Sequence, residues 1–154
     1  MRSNLVATVL MQLWYSVTPL TPEDFKIKSL PYFEGDLPEG YSGYLPVTAP
    51  AEQTDPDSAL FFWLTMKNDG SEYDENTPLL LWLNGGPGAS SQIGLFTENG
   101  PYVVTESDGQ PKVTLNEHSW SKFGHLLVVD QPIGTGYSYA KDESLLVTND
   151  QQGA

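Results

Sequence analysis

The chain has 154 residues, no cysteine and a formal charge of -13 at pH 7. That length suits one small domain, and the acidic balance argues against a nucleic-acid partner, because phosphate binding needs clustered lysine and arginine. Without cysteine there is no disulfide framework from which to read a compartment, and the charge itself bears on solubility rather than on fold.

Residues 1–4 include Arg2 and precede a mostly apolar stretch, 5–14, broken by Thr8 and Gln12. The stretch is too short to span a bilayer and has the proportions of a signal-peptide core, so residues 1–18 read as a signal peptide. A clean small-x-small cleavage site is missing at 15–19, and a packed or disordered N-terminal segment is the alternative. No second apolar run reaches membrane length, and no membrane-spanning segment is expected.

Aromatic-rich runs predict strands at 41–47 and 60–66. Acidic stretches at 52–57 and 69–76 contain proline or glycine and read as solvated loops. The second loop lacks the calcium-loop spacing, since Lys67 and Thr65 precede Asp69, and no metal site is expected there.

At 79–83 an unbroken apolar run, Leu-Leu-Leu-Trp-Leu, follows Pro78 and enters Asn84-Gly85-Gly86-Pro87-Gly88. A continuous apolar strand of this kind is expected to be buried on both faces, as in a parallel sheet. The glycines let the chain turn tightly and present backbone N–H groups to a ligand, an arrangement suited to an oxyanion, and Ser90 is placed to cap a short helix after the turn. Taken alone, the same pattern equally describes an ordinary glycine-rich turn between strand and helix.

Further on, a hairpin is expected from 102–105 and 112–115 around Ser107-Asp108-Gly109, and another apolar strand at 126–130, stopped by Pro132. Gly134 and Gly136 allow close packing of the turn that follows. Thr148 to Gln151 spells a capping box with almost no helix after it, which fits either a helix cut short or an accidental pattern in a tail. No internal repeat or linker divides the chain.

The blocks around these elements carry a resemblance. Pro78 to Ser91 resembles the P-L-x-L-W-L-N-G-G-P-G-C-S-S block of serine carboxypeptidases. Gly94 to Pro101 is similar to their G-L-x-x-E-x-G-P block, and Asp130 to Tyr139 to their D-Q-P-x-G-T-G-[FY]-S-Y block. Asn116, Ser119, Trp120 and Lys122 fit the intervening N-x-x-S-W-x-K pattern. Ala89 departs from the resemblance, standing where the family commonly has cysteine.

The resemblance implies an α/β-hydrolase fold, here incomplete, supplying the opening strands of a mixed central sheet. It also implies removal of C-terminal amino acids from peptides and proteins through an acyl-enzyme, without a cofactor, in a secreted or lysosome-like setting. The family triad runs Ser, Asp, His, and this chain contains no G-x-S-x-G. His118 and His125 lie upstream of any nucleophile and are expected to be structural, so residues 19–154 read as the part of the catalytic domain before the nucleophile, inactive alone.

By resemblance, the Gly86 N–H is an oxyanion donor. Asn84, the Gly85 N–H and Glu98 bind the carboxylate at the substrate's C-terminus, supported by Trp82. Two carboxylates side by side repel, so Glu98, buried beside the substrate, would serve there as the neutral acid, which accounts for the family's acidic preference. Two other readings stay open: an inactive or regulatory homologue of the same fold, and a nonhydrolytic anion-binding module. The last lacks both G-x-G-x-x-G and a P-loop lysine. Oligomeric state is not legible in the sequence.

Overall fold

The computed structural model describes residues 20–47 and 57–147. The signal-peptide stretch, residues 52–56 of the first acidic loop and the capping box at 148–151 lie outside the described residues.

Among the described residues seven strands form two sheets. The main sheet has the order β1, β2, β6, β3, from Gly40–Pro46, Ser58–Thr65, His125–Val129 and Leu79–Trp82, with the short β7, Tyr139–Ala140, also pairing with β2. β1 and β6 both run antiparallel to β2, whereas β3 runs parallel to β6, with Leu79 opposite His125 and Trp82 opposite Val128. β4 (Tyr102–Ser107) and β5 (Gln110–Leu115) form the expected hairpin, turning through Asp108 and Gly109, both at positive φ. It is longer than the apolar residues alone predict, because ladder pairing carries on through polar Glu106 and Gln110.

One α-helix, α1 (Gln92–Thr97), connects β3 to this hairpin. Its buried Leu95, with Trp63 of β2, Tyr102 of β4, Val113 of β5 and Leu126 and Val128 of β6, makes the core. Three rings organise its centre: Trp63 meets Phe96 and Tyr102 edge-on, and Phe96 stacks on Tyr102 with centroids 5.7 Å apart. Burial pushes the Tyr102 hydroxyl up to about 12, because its anion would lose hydration.

The strand at 79–83 departs from expectation. Among the described residues only one of its faces is covered: Leu80 packs on the core, whereas Leu79 and Leu81 are 60% and 58% exposed and Leu83 is exposed as well. The reason is position, since β3 is the outer strand of the sheet and the core lies against its other face. Among the described residues no helix is long and apolar enough to cross a membrane.

Candidate active site

Neighbouring parallel strands β3 and β6 release two loops on the same side of the sheet, residues 83–91 and 130–138. In open α/β sheets this end of the strands, at their carboxyl termini, is where ligands bind.

The first loop holds the glycines. Gly85 to Gly88 are exposed, with φ +138° at Gly86 and +101° at Gly88, backbone that side-chain-bearing residues seldom adopt. The Gly85 and Gly86 N–H groups have no acceptor among the described residues. Exposed N–H groups without an acceptor in the protein are free to donate to a ligand.

Asn84 is fixed from two directions. Its Oδ1 accepts the indole N–H of Trp82 at 2.6 Å, and its own N–H donates to Ser91 Oγ at 3.0 Å. The Trp82 ring stands edge-on to Trp120, centroids 5.5 Å apart. Gly94 of α1 lies against this pair: a Cβ there would fall 2.3 Å from Trp82 Nε1 and 3.0 Å from Asn84 Oδ1. The helix comes this close because the residue has no side chain.

Glu98 is the C-cap of α1, with its N–H donating to the Gly94 carbonyl at 3.1 Å. It follows the last helical residue, Thr97, and has left the helical backbone, with φ -129° and ψ -90°. The Asn116 side-chain amide holds this end of the helix by donating to the carbonyls of Glu98 and Gly100. The Glu98 side chain is exposed rather than buried, because nothing among the described residues covers this side of the loop. Trp82, Asn84, Ser91 and Gly94 of α1 are thus in mutual contact, with Gly85 and Gly86 following Asn84 in the chain and Glu98 at the other end of α1.

Ser90, expected as the helix cap, lies one position before the N-cap residue Ser91, yet its Oγ still accepts the Gln92 N–H at 3.2 Å. The histidines stand apart. His125 Nδ1 accepts the Lys67 N–H at 3.0 Å and its ring meets the Tyr73 ring edge-on, whereas His118 is exposed.

Asp130 is a residue whose importance the sequence reading missed. It is fully buried at the end of β6, and its Oδ1 accepts both the Ser91 N–H, at 2.7 Å, and the Ser90 hydroxyl, at 2.8 Å. A signal was available: a carboxyl group directly after four apolar strand residues needs hydrogen-bond donors around it.

A family model described as serine carboxypeptidase matches residues 31–154. The chain belongs to the serine carboxypeptidase family. Among its relatives, serine carboxypeptidase S10 family member 2 of Dictyostelium discoideum is 39% identical over 131 residues, covering 84% of this chain and 22% of the relative. Carboxypeptidase sxa2 of Schizosaccharomyces pombe is 42% identical over 117 residues, 76% of this chain and 20% of that protein. The crystal structure of the prohormone-processing carboxypeptidase Kex1(Δ)p from Saccharomyces cerevisiae superposes with a TM-score of 0.60 at 34% identity, covering 87% of this chain and 29% of that one. The mixed sheet is therefore part of an α/β-hydrolase fold, and the chain spans less than a third of the length of these relatives.

Proposed function

We propose that this serine carboxypeptidase chain is the N-terminal part of a catalytic domain that removes C-terminal amino acids from peptides and proteins. Residues 1–18 serve as a signal peptide for a secreted or lysosome- or vacuole-like destination, and residues 19–154 precede the nucleophile. The observation that carries this reading is the pair of unpaired N–H groups at Gly85 and Gly86, presented beside the fixed Asn84 side chain. In hydrolysis, the Gly86 N–H stabilises the oxyanion of the tetrahedral intermediate, together with the amide after the nucleophile. Asn84, the Gly85 N–H and Glu98 hold the substrate's terminal carboxylate, and Trp82 keeps Asn84 in place. Its exposure leaves Glu98 open to a peptide arriving from solvent.

The test uses the full-length protein and a matched pair of peptides, one with a free C-terminus and one amidated. Glu98→Ala is expected to raise KM for the free acid and affect the amide less. The preference for the free acid should narrow by about 0.5 to 1.5 kcal/mol, the net worth of one hydrogen bond at an exposed position. Equal loss on both substrates would show that Glu98 is structural.

A second reading, an inactive or regulatory homologue, draws on Ala89 in the family's cysteine position. The coding sequence beyond residue 154 separates the two: a G-E-S-Y-A-G-like segment followed by aspartate and histidine supports the enzyme, and a replaced nucleophile supports the homologue.

A further inference from the structure

The two loops at the carboxyl ends of β3 and β6 are tied together by one side chain, and the tie runs behind the glycine loop. Asp130 Oδ1 accepts the Ser91 N–H and the Ser90 hydroxyl, while Oδ2 accepts the Tyr137 N–H at 2.9 Å. The main chain of Asp130 is held as firmly. Its N–H donates to the Phe61 carbonyl of β2 at 3.0 Å, and its carbonyl accepts the Ser138 hydroxyl, whose oxygen in turn accepts the Phe61 N–H. Asp130 is thereby anchored to the central strand, and its carboxyl group acts only as an acceptor, with three donors pointed at it.

The connection reaches the proposed site in two steps. Ser91, held by Asp130 through its N–H, accepts the Asn84 N–H through its Oγ, so the first and last residues of the 84–91 loop are pinned to each other and to β6. Gly86 lies between these pins. Gly136 shows how tightly the assembly is packed: at φ +57°, a Cβ there would lie 2.2 Å from Asp130 Oδ2 and 2.7 Å from Ser90 Oγ.

We propose that Asp130 is a positioning residue for the oxyanion hole, setting the direction of the Gly86 N–H by fixing Ser90 and Ser91 from behind. The inference rests on the carboxypeptidase reading for its consequence in catalysis, but the tether itself stands on geometry alone. Asp130 touches no substrate. Its effect is on the transition state, because a donor displaced from the oxyanion still permits substrate to bind.

In the full-length protein, Asp130→Asn keeps the shape but, whichever way the amide turns, puts an NH2 group against a donor. It is expected to lower kcat by at least about tenfold, toward the roughly 100-fold that follows loss of one oxyanion donor, with KM changed less than about threefold. The free-acid and amidated peptides should both lose kcat, in contrast to Glu98→Ala, since both pass through the same oxyanion. Ser90→Ala, which removes one of the three bonds, is expected to lower kcat by a smaller factor and decides the matter if Asp130→Asn is not recovered folded. A folded variant of either kind with wild-type kcat overturns the proposal, as does a loss confined to KM.

Amide hydrogen exchange gives a reading independent of activity. Residues 84–91 should exchange faster in Ser90→Ala than in wild type, and unchanged exchange overturns the tether. An inactive wild-type protein would count against the carboxypeptidase reading, while exchange would still decide the tether.

Discussion

Gly94 is a position where one methyl group would be felt directly in the proposed site, because a Cβ there would run into the Trp82 indole and the Asn84 side chain. Gly94→Ala is expected to displace the indole, break its 2.6 Å bond to Asn84 Oδ1 and cost about 1 to 3 kcal/mol of stability through overpacking. In the full-length enzyme the same change should raise KM for free-acid peptides, since Asn84 then loses its fixed orientation. Thermal unfolding and steady-state kinetics check both parts. A variant with unchanged stability would mean that the helix shifts aside at no cost. This role of Gly94 was not legible from the sequence. The G-L-x-x-E-x-G-P pattern marks the position, but the reason for glycine there is a side chain twelve residues earlier.

Among the elements, β1, β2, β3 and β6 were the most legible, being apolar or aromatic runs bounded by proline, glycine or acidic loop residues, whereas the two-residue β7, Tyr139–Ala140, was not expected. Composition reports what a strand is made of, and burial depends on what lies over it. The continuous run at 79–83 therefore suggested two buried faces where the described residues cover one. Asp130 was obscured for a related reason: read along the chain it ends a strand before Pro132, and its partners Ser90 and Ser91 are some 40 residues away.

The start of β1 carries a tether to the second acidic loop that sequence pattern gives no hint of. Glu39 accepts the hydroxyls of Tyr41, at 2.7 Å, and Tyr73, at 3.0 Å, and these bonds hold its carboxyl below the ordinary range. The bond to Glu39 in turn raises the Tyr41 hydroxyl to about 12. A carboxyl lowered by folding contributes stability that is fully present above its unfolded value and is lost as pH falls through the folded value. Asp69, lowered chiefly by Ser71, has the same sign. The full-length protein should therefore lose thermal stability below about pH 4.5, the ordinary glutamate range. Glu39→Gln should lower stability at pH 7 and reduce the acid-induced drop, so melting curves at pH 7 and pH 3 check the sign. A variant with the same drop as wild type would remove Glu39 from the account.

At the scale of the whole molecule, the described residues expose apolar surface where monomeric proteins usually do not. Leu79, Leu81 and Leu83 alternate along one face of β3, and among the described residues that strand has no partner on its far side. Contiguous apolar surface together with an open strand edge favours association. These 154 residues expressed alone are therefore expected to elute above monomer size and bind a hydrophobic dye, with Leu81→Lys shifting the population toward monomer. They should also hydrolyse no peptide or ester above background, because oxyanion donors without a nucleophile and base leave the covalent step unassisted. Gel filtration, dye fluorescence and release of C-terminal amino acids test these points separately. A dye-silent monomer would overturn the expectation of an open β3 face, and catalysis surviving purification controls would require a nucleophile within this sequence.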